Sequence, residues 1–228
     1  MNLCKWKDLP DFMQCEEVRP YYERLKKKRG SLILKRCFDV MVAAILLIIL
    51  ALPMLVIGAC IKLDSKGPVF YRQERVTRYG RKFRIHKFRT MVDHAEQLGS
   101  AVTVSHDSRV TDVGRRLRRV RLDELPQLLD VLQGTMSFVG TRPEAVKYVA
   151  QYTPEMNATL LLPAGITSRA SILYKDEERL LHNAADADRT YVEEILPEKM
   201  TYNLKAILNY SFWDDIKTMF VTVYSVLK

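Results

Sequence analysis

The sequence predicts a mostly helical α+β protein seated on a membrane. Its expected plan is a re-entrant, Pro-kinked apolar helix and a small cytosolic domain with a short β-hairpin and amphipathic interfacial helices. Three observations carry this. Val40 to Ile61 run for 22 residues without a charge. Basic residues crowd both ends of that run. Beyond it, short strand-like and helical patterns alternate between glycines and prolines. Hydrophobic residues make up 48% and charged residues 28% of the 228, which excludes wholesale disorder and a polytopic membrane protein. The expected division is a polar, basic segment over 1–34, the membrane helix over 35–62 and the cytosolic domain over 63–228.

Taken in order, residues 16–29 (EEVRPYYERLKKKR) read as a basic helix that lies along anionic headgroups or is simply solvated. As a straight helix the apolar run is about 33 Å long, enough for a hydrocarbon core of about 30 Å. A buried helix of a soluble domain is the alternative. A spanning helix gathers its cations on one side. Here residues 24–36 carry seven cations and no acid, and residues 62–89 carry ten against Asp64 and Glu74. Both ends therefore read as cytoplasmic, with the turn-back at Pro53, where a backbone hydrogen bond is lost.

VFYRQERV and KFRIHKF then alternate in strand fashion around a turn at Tyr79-Gly80. Basic residues interleaved with Tyr71, Phe83 and Phe88 could stack on single-stranded nucleic acid, a reading that leaves the membrane segment unexplained. At the C-terminal end, Trp213, Ile216, Phe220, Val223 and Leu227 form a helical stripe. Such a stripe is more often a core-packing face, although its Trp and Tyr also suit a membrane interface.

Charge is divided unevenly. Residues 1–121 hold 26 Lys+Arg against 12 Asp+Glu, and residues 122–228 hold 10 against 15. A basic first half points to an anionic partner. Cys4, Cys15, Cys37 and Cys60 and the four histidines are scattered, so neither a zinc site nor a disulfide framework is signalled.

The most informative stretch is residues 114–134, GRRLRRVRLDELPQLLDVLQG. Leu125, Leu128, Leu129 and Leu132 share a helical face, Gly134 ends the helix, and Asp123-Glu124 with Pro126 mark its first turn. Capping alone explains paired acids at a helix start. Their setting favours chemistry, because Arg115, Arg116, Arg118, Arg119 and Arg121 lie just upstream. Cations and a helix N-terminus would keep Asp123 ionised, as a nucleophilic carboxylate requires, with Glu124 as base or metal partner. A diphosphate substrate would bring Mg²⁺. Arg142, in the Pro-bounded turn Gly140-Thr-Arg-Pro143, suits bidentate phosphate binding. No P-loop is present, and no G-x-G-x-x-G follows a strand.

Together, Lys35-Arg-Cys-Phe-Asp39, the Pro-broken helix, KLDSKGPVFYRQERV, KFRTM, RLDELPQLLDVLQG, MSFVGTRPE and PAGITS resemble the bacterial sugar transferases known as monotopic phosphoglycosyl transferases. The resemblance runs from about Lys35 to the C-terminus. It implies transfer of a sugar-1-phosphate from a UDP-sugar to polyprenyl (undecaprenyl) phosphate with release of UMP, using Mg²⁺. This is the first step of capsule, exopolysaccharide or glycoconjugate assembly. It implies Asp123 as the nucleophile and a Mg²⁺ ligand, Glu124 as its partner, and Lys87, Arg118 and Arg142 as phosphate binders. Lys35, Arg36 and Asp39 would anchor the re-entrant helix at the headgroups, with Pro53 as the breaker. The implied seat is one leaflet of the bacterial inner membrane, facing the cytosol, with the catalytic domain lying on the bilayer. A homodimer stays open, nucleic acid is not expected as a partner, and the alternative is a non-catalytic, membrane-tethered basic module. The chain departs from the family in three places. Pro53 follows Leu52 rather than a serine, an acidic stretch follows Ser168, and Asn203 stands where many members carry an acid. These leave the sugar open.

Overall fold

The computed structural model describes residues 1–95, 107–174 and 186–227 and is mostly helical. The acidic stretch after Tyr174 and two histidines, His106 and His182, lie outside the described residues. Helices α1 (Arg19–Lys26) and α2 (Arg29–Asp64) lead into the hairpin, β1 (Phe70–Val76) and β2 (Lys82–Phe88). There follow α3 (Asp112–Arg119), α4 (Gln127–Gln133), β3 (Met136–Val139) and α5 (Val146–Val149). The chain continues through β4 (Ala164–Thr167), α6 (Arg169–Leu173), α7 (Ala187–Thr190), α8 (Leu196–Leu208) and α9 (Phe212–Leu227).

The hairpin forms as the alternation predicts. Its strands are antiparallel, with Tyr71 opposite Lys87 and Arg75 opposite Phe83. Tyr79 (φ 60°) and Gly80 (φ 73°) make the left-handed turn between them.

A second sheet was not expected from the sequence: β3 and β4 pair in parallel, Met136 opposite Ala164 and Val139 opposite Thr167. Four-residue strands offer too little alternation to read. Two glycines permit this sheet. A Cβ at Gly165 would lie 2.1 Å from the Gly140 nitrogen, and one at Gly140 would lie 2.7 Å from the Pro163 carbonyl. The two backbones therefore pass closer than any side chain allows.

Residues 1–34 are polar in composition yet supply much of one core. Leu3, Leu9, Met13, Val18, Tyr22, Leu25 and Leu32 pack with Val76, Leu161, Ile207 and Tyr210. Burying Leu25 and Leu32 fully, at 0% exposure, contributes about 1.5–3 kcal/mol each. The buried ring of Tyr21 likewise turns α1 inward, onto α8 and the turn at 155–161, where its hydroxyl donates to Glu155.

Helix α2 lies with one face on the body along much of its length. Leu32, Lys35, Asp39 and Ala43 are buried near one end, Gly58 and Ile61 near the other. Ala43 packs with Ile85, Leu128 and Val131, while Met54, Ile57 and Ile61 pack with Phe88, Val69 and Leu117. The opposite face is bare: Ile48 is 78%, Leu52 70% and Leu55 71% exposed. The helix reaches a mean hydropathy of 3.2 over its most apolar 18 residues, and only 6% of that window is buried. Length and composition suffice to cross a membrane, and a soluble core helix would be mostly buried instead.

Much of the C-terminal stripe does not pack on the core. Trp213 is 75%, Phe220 73% and Val223 58% exposed. Helix α9 instead turns inward the face of Asp215, Thr218, Met219 and Thr222. Polar partners decide this rotation. Lys35, 3% exposed, takes Asp215 as its counter-ion at 2.7 Å, and Thr222 shares a hydroxyl hydrogen bond with Thr167 at 2.8 Å. A buried ammonium without an anion costs more than leaving apolar side chains exposed.

Candidate functional site

The acidic pair sits where three elements meet. Helix α3 begins at the Thr111 cap, whose hydroxyl accepts from Gly114 N at 3.0 Å. Gly114 is required there, because a Cβ would lie 2.1 Å from the Thr90 carbonyl. After α3 the chain reverses at Arg121, held at φ 53°, an uncommon angle for a side-chain-bearing residue. Leu122–Glu124 then form a 3₁₀ turn, and Pro126 is the N-cap of α4. The two acids thus precede α4 rather than occupying its first turn. Pro126 separates them because it lacks the N–H that would carry the helix back.

Glu124 is the centre of a cationic cluster. Its Oε1 accepts from Arg142 Nη2 at 2.6 Å and from Lys87 Nζ at 3.1 Å, and Arg121 approaches to 3.9 Å. Burial alone would raise this carboxyl. The guanidinium of Arg142 and the ammonium of Lys87 outweigh it and hold the group well below the usual carboxylate range. Burial in turn lowers Lys87, against the pull of Glu124.

Asp123, 9% exposed, behaves differently. No hydrogen-bond donor reaches it among the described residues. Burial lifts its carboxyl above the ordinary range, and the charge of Glu124 adds to the rise. Lys87, Arg118 and Arg142 pull it the other way. The cations engage Glu124 first, and at Asp123 their pull is outweighed by burial. Arg118, half-buried on α3, acts on both Asp123 and Asp107 through its charge.

The turn bearing Arg142 is pinned by backbone on both sides. Gly140 N donates to Thr167 O at 3.0 Å and Gly165 N to Thr141 O at 2.9 Å, while Val76 N donates to Glu144 O at 3.0 Å. The structure therefore brings Asp123, Glu124, Lys87 and Arg142 together, with Arg118 beside them.

Sequence reasoning passed over several neighbours. Arg75 shares a strand face with Tyr71 and Lys87, and its burial depresses its pKa against the charge of Glu144. The period-two spacing of 71, 73 and 75 was the available signal. Asp130, 1% exposed, accepts from His86 N at 2.9 Å and meets His86 Nδ1 at 2.8 Å, locking β2 to α4. Nothing local in the sequence joins residues 44 positions apart.

The expected anchors at the base of α2 each have partners within the protein. Lys35 pairs with Asp215. Arg36 donates to the carbonyls of Val131 and Leu132 at 2.6 and 2.9 Å, capping the end of α4. Asp39, 2% exposed, accepts from Ser137 Oγ at 2.7 Å. At the other end of α2, Arg89 donates to the carbonyls of Ser65 and Lys66, both at 2.7 Å. Asp64 accepts from Val113 N in the first turn of α3. Both ends of the helix are thus tied to one body. Pro53 lies inside it, exposed like Ala51 and Leu52.

Among the described residues no three His, Cys, Asp or Glu side chains converge as a metal cage. Asp123 is the carboxylate the cations leave open. Magnesium is commonly held by one or two carboxylates together with substrate phosphates. The donor set fits a cation shared with a diphosphate.

Residues 30–228 match the family model described as bacterial sugar transferase. A UDP-N-acetylgalactosamine-undecaprenyl-phosphate N-acetylgalactosaminephosphotransferase of Aeromonas hydrophila is 36% identical over 85% of the chain and 44% of its own length. A UDP-glucose:undecaprenyl-phosphate glucose-1-phosphate transferase of Klebsiella pneumoniae is 34% identical over 85% of the chain and 40% of its own length. One of that same description from Caulobacter vibrioides is 37% identical over 85% and 69%. The chain spans less than half the length of the first two.

Proposed function

The chain belongs to the bacterial sugar transferase family, and from that premise we propose that it transfers a sugar-1-phosphate from a UDP-sugar to polyprenyl phosphate. The observation that carries this is the division of labour between adjacent acids: Glu124 gathers Lys87 and Arg142, while Asp123 has no donor among the described residues. A carboxylate without a fixed partner, inside a ring of cations, is placed to attack phosphorus.

In the first half-reaction an Asp123 oxygen bonds to the β-phosphorus of the UDP-sugar. The bond from that phosphorus to the bridging oxygen breaks, and UMP leaves with the electron pair. Lys87 and Arg142 bind the phosphate oxygens in place of Glu124, whose carboxylate occupies them beforehand. In the second, an oxygen of polyprenyl phosphate attacks the same phosphorus and displaces Asp123, with Glu124 positioning the incoming phosphate or taking its proton. Asp123 and the diphosphate would hold Mg²⁺, which when bound neutralises phosphate charge.

The acceptor is a membrane lipid, and the two-ended attachment of α2 supports a seat in one leaflet at the cytosolic face of the inner membrane. The helix dips in, bends at Pro53 and returns, with α9 resting Trp213, Phe220 and Val223 on the interface. Tags at residues 1 and 228 should react equally with a cytosol-confined reagent; protection of one alone excludes the re-entrant path. The decisive assay is UMP release across a panel of UDP-sugars with polyprenyl phosphate, with and without Mg²⁺. It is joined to trapping of a labelled adduct. An adduct that persists in Asp123→Asn removes Asp123 as nucleophile.

A further inference from the structure

Three residues that the transfer chemistry does not use meet directly behind the Arg142 turn. Glu144 follows Arg142-Pro143 and is 7% exposed. Its Oε1 accepts from the Tyr191 hydroxyl at 2.6 Å and from Lys199 Nζ at 3.3 Å, and Lys199 Nζ also donates to the Tyr191 hydroxyl at 2.8 Å. Tyr191 and Lys199 are 3% and 4% exposed. The Lys199 ammonium lies 4.8 Å from the Tyr191 ring centroid, and the Tyr148 ring packs at 4.6 Å on the other aromatic contact. Tyr191 opens a π-turn, Tyr191–Ile195, inserted between α7 and α8. Such an insertion widens a helix by one residue, re-aims a side chain and frequently marks functional sites.

The geometry points to Glu144, Tyr191 and Lys199 as positioning residues that set the aim of Arg142 at the donor's diphosphate. This inference rests on the proposed transferase reading. Upstream of Arg142 the turn is held by backbone bonds to β4, and downstream by Val76 N on the Glu144 carbonyl. The Glu144 side chain ties this turn to the 187–208 region, across a rigid, buried proline. A charged, fully partnered cluster of this kind fixes orientation, at the risk of a buried unpaired charge when one member is lost. Through it, a region remote in sequence tunes how tightly the nucleotide sugar is gripped, without touching it.

The test uses the full chain in membranes with the best UDP-sugar of the panel. Tyr191→Phe removes the hydroxyl and its hydrogen bonds with Glu144 and Lys199, and keeps the ring packing. It should raise KM for the UDP-sugar about tenfold and leave KM for polyprenyl phosphate unchanged, because small misplacements of a positioning group cost catalysis heavily. The same substitution in an Arg142→Lys background should have little further effect, since the aim it supports is already lost. Lys199→Met strands the Glu144 carboxylate and risks misfolding, so the paired Glu144→Gln/Lys199→Met chain, which buries no net charge, serves as the second variant. It should fold and show the same selective rise. Equal losses for both substrates, or additive effects with Arg142→Lys, would assign the cluster to general stability and overturn the inference. So would unchanged kinetics in an active background. A wild type that releases no UMP from any UDP-sugar overturns the transferase reading, and the inference with it.

Discussion

Two buried clusters of charge are built from the same residue types and closed to different degrees. At the root of α2, Lys35 meets Asp215, Asp39 meets Ser137, and Arg36 ends on two carbonyls of α4. Each of these groups has a partner inside the protein. Around the acidic pair, Lys87, Arg121 and Arg142 converge on Glu124, and Asp123 is left without a donor among the described residues. In the first cluster every charge is matched by a protein group. The second has surplus cations and an open carboxylate. Buried charge that is fully partnered fixes architecture; buried charge that is one partner short is a candidate place for substrate.

The largest effect expected is at Asp123. Asp123→Asn should lower UMP release by about 10⁴-fold or more, as loss of a nucleophile does. It should also raise the melting temperature at pH 7.5, because it removes a charge that burial disfavours. A gain in activity or a loss of stability would erase the contrast with the root of α2.

Glu124 and Lys35 sharpen it. Glu124→Gln should cost about 10²-fold or more in turnover and also destabilise, since Lys87 and Arg142 lose their anion. Lys35→Met should destabilise by about 3 kcal/mol by stranding Asp215, while the kcat of the folded fraction stays near wild type. Denaturation midpoints and kcat, measured together, separate the two.

The pH dependence has a definite sign. The Asp123 carboxyl is raised in the folded state, so the acid limb of kcat should lie above the ordinary carboxylate range of about 4. Folded protein holds this proton more tightly than unfolded, so this group's share of stability falls as pH rises through the window from about 4 to the folded pKa. The stability gained in Asp123→Asn should therefore be complete above the folded pKa and vanish below about pH 4. Melting curves across pH 4–8 for both chains test this. Smallest of all is the exposed pair Arg115–Asp112, where Arg115→Gln should change stability by less than about 0.5 kcal/mol.

The sequence by itself determined the apolar helix, the hairpin and its turn, and singled out the acids and cations that the structure gathers around Glu124. Each is written locally, as 22 uncharged residues, as period-two alternation around Tyr79-Gly80, and as adjacent acids beside arginines. Tertiary structure alone decided which acid takes the cations, which face α9 buries and where Lys35, Arg36 and Asp39 point. It also supplied the β3–β4 pair and the Glu144–Tyr191–Lys199 cluster, whose members are up to 55 residues apart. Periodicity and composition describe a residue and its near neighbours, whereas the fate of a buried charge depends on which distant partner the fold delivers to it.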